Sequence, residues 1–73
     1  MSIPLFRQRV IEEKHELDEK IAKLRDFNNG SIYLILPDDE RGRLTRQYLH
    51  MIAYAEVLSE RIKAFEVKPY EQA

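Results

Sequence analysis

The chain has no cysteine and no tryptophan, and only two glycines and three prolines in 73 residues. Without cysteine there is neither a disulfide framework nor a thiolate metal site. His15 and His50 are the two imidazoles, too few for a dedicated zinc cage. An excess of one charge is also lacking: 12 Lys and Arg face 13 Asp and Glu, a net charge of −1. That balance is not the basic footprint of a duplex binder and argues against a nucleic-acid partner. No apolar run approaches the roughly 20 residues that cross a bilayer. No charged-then-apolar leader opens the sequence, so no membrane partner is expected and the location is read as cytoplasmic. Asn29-Gly30-Ser31, which has the form of a glycan acceptor, then carries no sugar. A Gly-rich phosphate loop, an HExxH helix and a serine elbow are absent as well. The expectation is a protein that is not an enzyme and takes no metal and no cofactor.

What remains is helical patterning. Hydrophobic residues make up 44% and charged residues 34% of the chain, too apolar for a disordered tail. After Ser2-Ile3-Pro4, no Gly or Pro interrupts residues 5–27, and Val10, Leu17, Ile21 and Leu24 fall on one seam. Ile3 and Phe6 extend that seam, and Ile11 and Phe27 widen it. Glu16 and Lys20, and Glu19 and Lys23, have the favourable i,i+4 order on the outer face. Asn28-Asn29-Gly30-Ser31 is a stop in which Asn or Gly can adopt the left-handed conformation of a helix end. Ile32-Tyr33-Leu34-Ile35-Leu36 has strand-like propensity but no partner strand, and is expected to plug the end of a hairpin. Pro37 and the acids Asp38, Asp39 and Glu40 suit the start of a second helix. Leu44, Tyr48, Met51, Ala55, Leu58, Ile62 and Phe65 then step alternately by four and three. The predicted architecture is all-α: one helical-hairpin domain over residues 1–73. Its helices are at about 5–27 and 37–65, joined by an elbow at 28–36 and followed by a frayed tail at 68–73.

Such a hairpin covers one side of each helix. A chain below roughly 70–80 residues rarely draws more than about 3–5 kcal/mol from its own core. Leu49, Ile52, Ala53 and Val57 form a second apolar stripe that a lone hairpin leaves in water. They are the expected interface of a homo-oligomer, a dimer or a larger helical bundle.

Polar residues that interrupt the seams are the candidates for binding. Arg7, Lys14 and Asn28 occupy seam positions of the first helix. Pairing Leu24 with Leu44 across the elbow places Lys14 beside Tyr54 and Arg7 beside Arg61. Two arginines, a lysine and a tyrosine suit an anion: arginine offers phosphate a rigid fork, and tyrosine offers a ring face or a hydroxyl. Snorkelling of Lys14 and surface pairing of the arginines with Glu13, Glu60 or Glu66 is the plainer account of the same residues. A further polar stripe, Arg43, Gln47, His50 and Tyr54, with Arg46 alongside, could grip a nucleotide or an acidic partner. Glu12 and His15 have the spacing of a di-metal bundle motif but point away from the apolar seam, which reads as a surface turn.

The runs Arg9-Val10-Ile11-Glu12-Glu13-Lys14 and Glu16-Leu17-Asp18-Glu19-Lys20-Ile21 resemble small uncharacterised helical-hairpin proteins of tailed bacteriophages. So does the pattern Leu36-Pro37-x-x-Glu40 with Gln47, Met51, Tyr54, Val57-Leu58 and Arg61-Ile62. In architecture the chain also looks like the phage anti-CBASS and anti-Thoeris sponges, which hold cyclic-nucleotide signals between protomers without hydrolysing them. The resemblance implies a phage counter-defence protein acting in the host cytosol. It would bind a cyclic nucleotide or similar phosphate ligand at subunit junctions, through Arg7, Lys14, Tyr54 and Arg61, then Arg43, Gln47 and His50. The alternative is an interaction protein that lays the apolar face of its second helix, rimmed by Arg43 and Arg46, against a host protein.

Overall fold

The computed structural model describes residues 4–67, with side chains described through residue 65. The expected helix start at Ser2-Ile3 and the tail at 68–73 lie outside the described residues. Three helices follow in order: α1 (Leu5–Asn28), α2 (Ser31–Leu34) and α3 (Asp38–Val67). No strand occurs among the described residues.

Pro4 stands just outside α1, and its carbonyl accepts the Arg7 and Gln8 N–H groups at 3.0 and 3.1 Å. A proline costs nothing at such a boundary, because its missing N–H would have no helical acceptor there. At the other end the Asn29 N–H donates to the Arg25 and Asp26 carbonyls and the Gly30 N–H to Phe27 O. The left-handed cap expected here does not form: Asn29 has φ −98° and Gly30 φ −98° with ψ 175°. Gly30 is instead the extended residue from which α2 starts one position later, so the chain has no room for a left-handed exit.

The apolar segment after it is not a plug. It coils into the short α2, and one helical turn cannot aim five consecutive apolar side chains in one direction. Tyr33 and Leu36, three apart, turn partly inward, while Ile32, Leu34 and Ile35 face outward, Ile35 with 81% of its surface exposed. Tyr33 secures the turn: its hydroxyl donates to the Arg41 carbonyl at 3.3 Å and lies 2.9 Å from Thr45 Oγ1.

Asp38, Asp39 and Glu40 occupy the first turn of α3, where carboxylates complement the helix dipole. The chain then runs back along α1. Val10, Leu17 and Ile21 of α1 meet Ala55 and Leu58 of α3, with Tyr48, Met51, Ile52, Ile62 and Phe65 packed against them. These are the seams read from the periodicity, with Ile52 added from the neighbouring stripe. Near the open end, Phe6 and Phe65 pack edge to face, ring centroids 5.8 Å apart.

The result is a single layer of helices. Its radius of gyration is 16.6 Å, against about 11 Å for a compact chain of this length. It exposes 5871 Å², on the order of 1,000 Å² more than a compact monomer of this mass.

Candidate functional site

The register across the hairpin decides which candidates meet. The Arg7 guanidinium carbon lies 5.2 Å from the centre of the Phe65 ring and 5.8 Å from that of Phe6. Arg7 was expected beside Arg61; it stands beside Phe65, one helical turn further along. Its guanidinium rests against both rings, which themselves pack edge to face, an arrangement worth about 0.5–2 kcal/mol depending on desolvation. Arg61 is exposed one turn away.

Lys14 is half-buried at its stem, and its Nζ meets Asp18 Oδ2 at 2.5 Å. With His15 Nε2 and Glu19 Oε2 at 3.6 Å, this is the i,i+4 pairing that α1 adopts among the described residues. The Glu16–Lys20 and Glu19–Lys23 pairs expected from the sequence give way to these two. Tyr54 is 45% exposed on α3, next to the buried Ala55.

The second polar stripe is committed at its N-terminal end. Arg43 Nε donates to Glu40 Oε1 at 2.9 Å, and its Nη2 lies 2.8 Å from the same oxygen and 3.6 Å from Asp39 Oδ2. The hydrogen bond to Glu40 and the two negative charges hold its guanidinium pKa above the ordinary value. Arg41 pairs in the same way with Asp38. The charge of Arg43 is therefore largely answered within the first two turns of α3. The Gln47 amide approaches the Met51 sulfur at 4.0 Å, and His50 is exposed.

The apolar stripe is open. Leu49 and Val57 are 58% and 51% exposed and Ala53 is exposed, whereas Ile52 turns partly toward the core. Ile32, Leu34 and Ile35 add further uncovered apolar surface at the elbow.

One concave feature lies where the sequence reading did not look. At the C-terminal end of α1, Arg25, Asn28, Asn29 and Tyr48 line an open cavity of about 190 Å³. Asn28 was recognisable only as a polar residue on an apolar seam, and Tyr48 only as a seam residue. Their meeting depends on the hairpin register, which the spacing of apolar residues did not set. No group of three or more metal-ligating side chains occurs among the described residues, and Glu12 and His15 stand exposed on α1. No helix among those residues is long and apolar enough to cross a membrane.

Compared with known proteins, residues 4–64 match the family model Sequestin. The chain belongs to the Sequestin family. The match takes in α1, α2 and nearly all of α3, so the family signature is the hairpin itself rather than one local motif. No curated protein and no solved structure matches the chain.

Proposed function

We propose that this protein is a non-catalytic sponge: copies of the chain sequester a cyclic nucleotide or similar phosphate-bearing ligand at their junctions. The observation that carries the reading is the Sequestin match over residues 4–64, a family whose name denotes sequestration. The uncovered apolar surface on α3 and at the elbow supports the association of copies. A cation resting against two aromatic rings at the open end, with Arg61 one turn away from Phe65 on α3, supports an anionic ligand. Lys14 and Tyr54 belong to the same proposed site, with Arg43, Gln47 and His50 beyond it. In this reading the protein is encoded by a phage or prophage and acts in the host cytosol by lowering a defence signal. No turnover is needed; affinity and copy number set how much free signal remains.

The test is thermal unfolding with a panel of cyclic di- and trinucleotides. A ligand at about a hundred times its Kd adds about 2.7 kcal/mol to the folded state. For a domain of this size that is a rise in Tm on the order of 10 °C. Absence of any shift across the panel, with a host protein recovered on the immobilised chain, would replace this reading. The exposed Leu49 and Val57 would then be the docking face for that host protein.

A further inference from the structure

We propose that the cavity at the elbow end of α1 is a nucleobase subsite, holding one planar N-heteroaromatic ring while the phosphate-bearing remainder of the ligand points outward. The proposal takes its ligand class from the sequestration reading above; the subsite lies at the elbow end of α1, about 27 Å along the helix from Arg7, and is a separate contact region from the Arg7–Arg61 cluster.

Size comes first. Clefts that hold drug-sized molecules run to roughly 300–1,000 Å³; this one has about 190 Å³. It has room for a ring system and not for a whole dinucleotide.

The lining has the chemistry of base recognition. Asn28 and Asn29 line it, and the carboxamide is the type of group that reads the paired donor and acceptor on a purine edge. Tyr48 supplies an aromatic ring. It is half-buried and packed against the hydrophobic core, so little motion has to be frozen when a base stacks on it. Arg25 supplies a planar guanidinium. Among the described residues its one ion pair is with its neighbour Asp26, Nε to Oδ1 at 3.5 Å, which leaves the rest of the fork open.

Asn28 also carries an unmet demand. Its Oδ1 is shielded from solvent and has no hydrogen-bond partner among the described residues. The terminal torsion of an asparagine is soft, so a modest turn brings that acceptor onto a donor in the cavity.

Position argues for the base rather than the phosphate. The cavity lies at the C-terminal end of a 24-residue helix, where the dipole disfavours an anion. Arg25 in the last turn is answered by the adjacent Asp26, which leaves the helix-end field in place. A neutral ring with N–H donors fits there, and the phosphates belong further out.

The test is an amide-resolved NMR titration of the full chain with AMP, GMP, CMP and UMP, using ribose 5-phosphate and inorganic phosphate as base-free controls. Saturable shifts are expected from at least one nucleotide at the Asn28 and Asn29 side-chain amides and the Arg25 and Tyr48 backbone, with none from the controls. Asn28→Ala and Arg25→Ala should each weaken that nucleotide about tenfold at unchanged Tm. Equal shifts with ribose 5-phosphate, no saturable shift with any nucleotide, or unaltered binding by Asn28→Ala would each overturn the proposal. A cyclic dinucleotide that raises Tm without moving the elbow resonances would sink the subsite and leave sequestration standing. Elbow shifts with mononucleotides, and no Tm rise with any cyclic nucleotide, would do the reverse.

Discussion

Leu58 and Val57 are neighbours in sequence about 100° apart around α3, one buried and one half exposed, and the sign of the alanine effect at Val57 depends on whether the hairpin lives alone. Leu58 has no exposed surface and sits among Val10, Leu17, Ile21 and Ala55. Truncating a buried leucine costs about 2–5 kcal/mol, comparable with the roughly 3–5 kcal/mol that a core of this size supplies in total. Leu58→Ala should therefore lower Tm by at least about 10 °C or unfold the chain. Val57 is half exposed. On a bare hairpin, Val57→Ala trades a β-branched residue for the best helix former and should stabilise by up to about 0.6 kcal/mol. If a second copy covers that face, the lost apolar contact, about 1 kcal/mol or more per chain, outweighs the gain. The variant should then be less stable and dissociate at higher protein concentration. The assay is thermal and urea unfolding of both variants at two protein concentrations tenfold apart. A stabilised Val57→Ala whose Tm is independent of concentration would refute the reasoning that this face is covered.

Other substitutions test the rest of the fold. Gly42 lies inside α3 and a Cβ there meets nothing within 4 Å, so Gly42→Ala should stabilise by about 0.5–1 kcal/mol in urea unfolding. Gly30 has a negative φ, and an added Cβ would rest at 3.4 Å from Phe27 O; Gly30→Ala should be tolerated within about 1 kcal/mol, whereas a left-handed cap would make it costly. Tyr33→Phe removes the hydroxyl that ties α2 to Arg41 and Thr45 and should cost about 0.5–1.5 kcal/mol, seen as faster amide exchange at the start of α3. Phe65→Leu keeps an apolar side chain but removes the ring against Phe6 and Arg7. It should cost about 1 kcal/mol and loosen the open end of the hairpin.

The helices were legible because each carries a long seam at helical spacing, and Val10, Leu17, Ile21, Ala55 and Leu58 are where those seams meet. Axial register was not legible. A heptad seam fixes which face turns inward but offers nearly equal packing at each one-turn shift. The elbow sets the offset, and its apolar run coils into α2 instead of extending. That one-turn difference moved Arg7 from Arg61 to Phe65. The cavity of Arg25, Asn28, Asn29 and Tyr48 was not legible either, because Tyr48 reaches it from the other helix. The left-handed cap failed for a local reason. Asn and Gly permit that conformation, but the immediate start of α2 after Gly30 does not use it.

Sedimentation equilibrium of the purified chain at low micromolar concentration bears most directly on ligand capture at junctions between copies. The account predicts a mass of at least twice the 8.7 kDa of one chain, held across a dilution series and strengthened by a bound cyclic nucleotide. A folded, helical species that stays at 8.7 kDa with and without the ligand would contradict it.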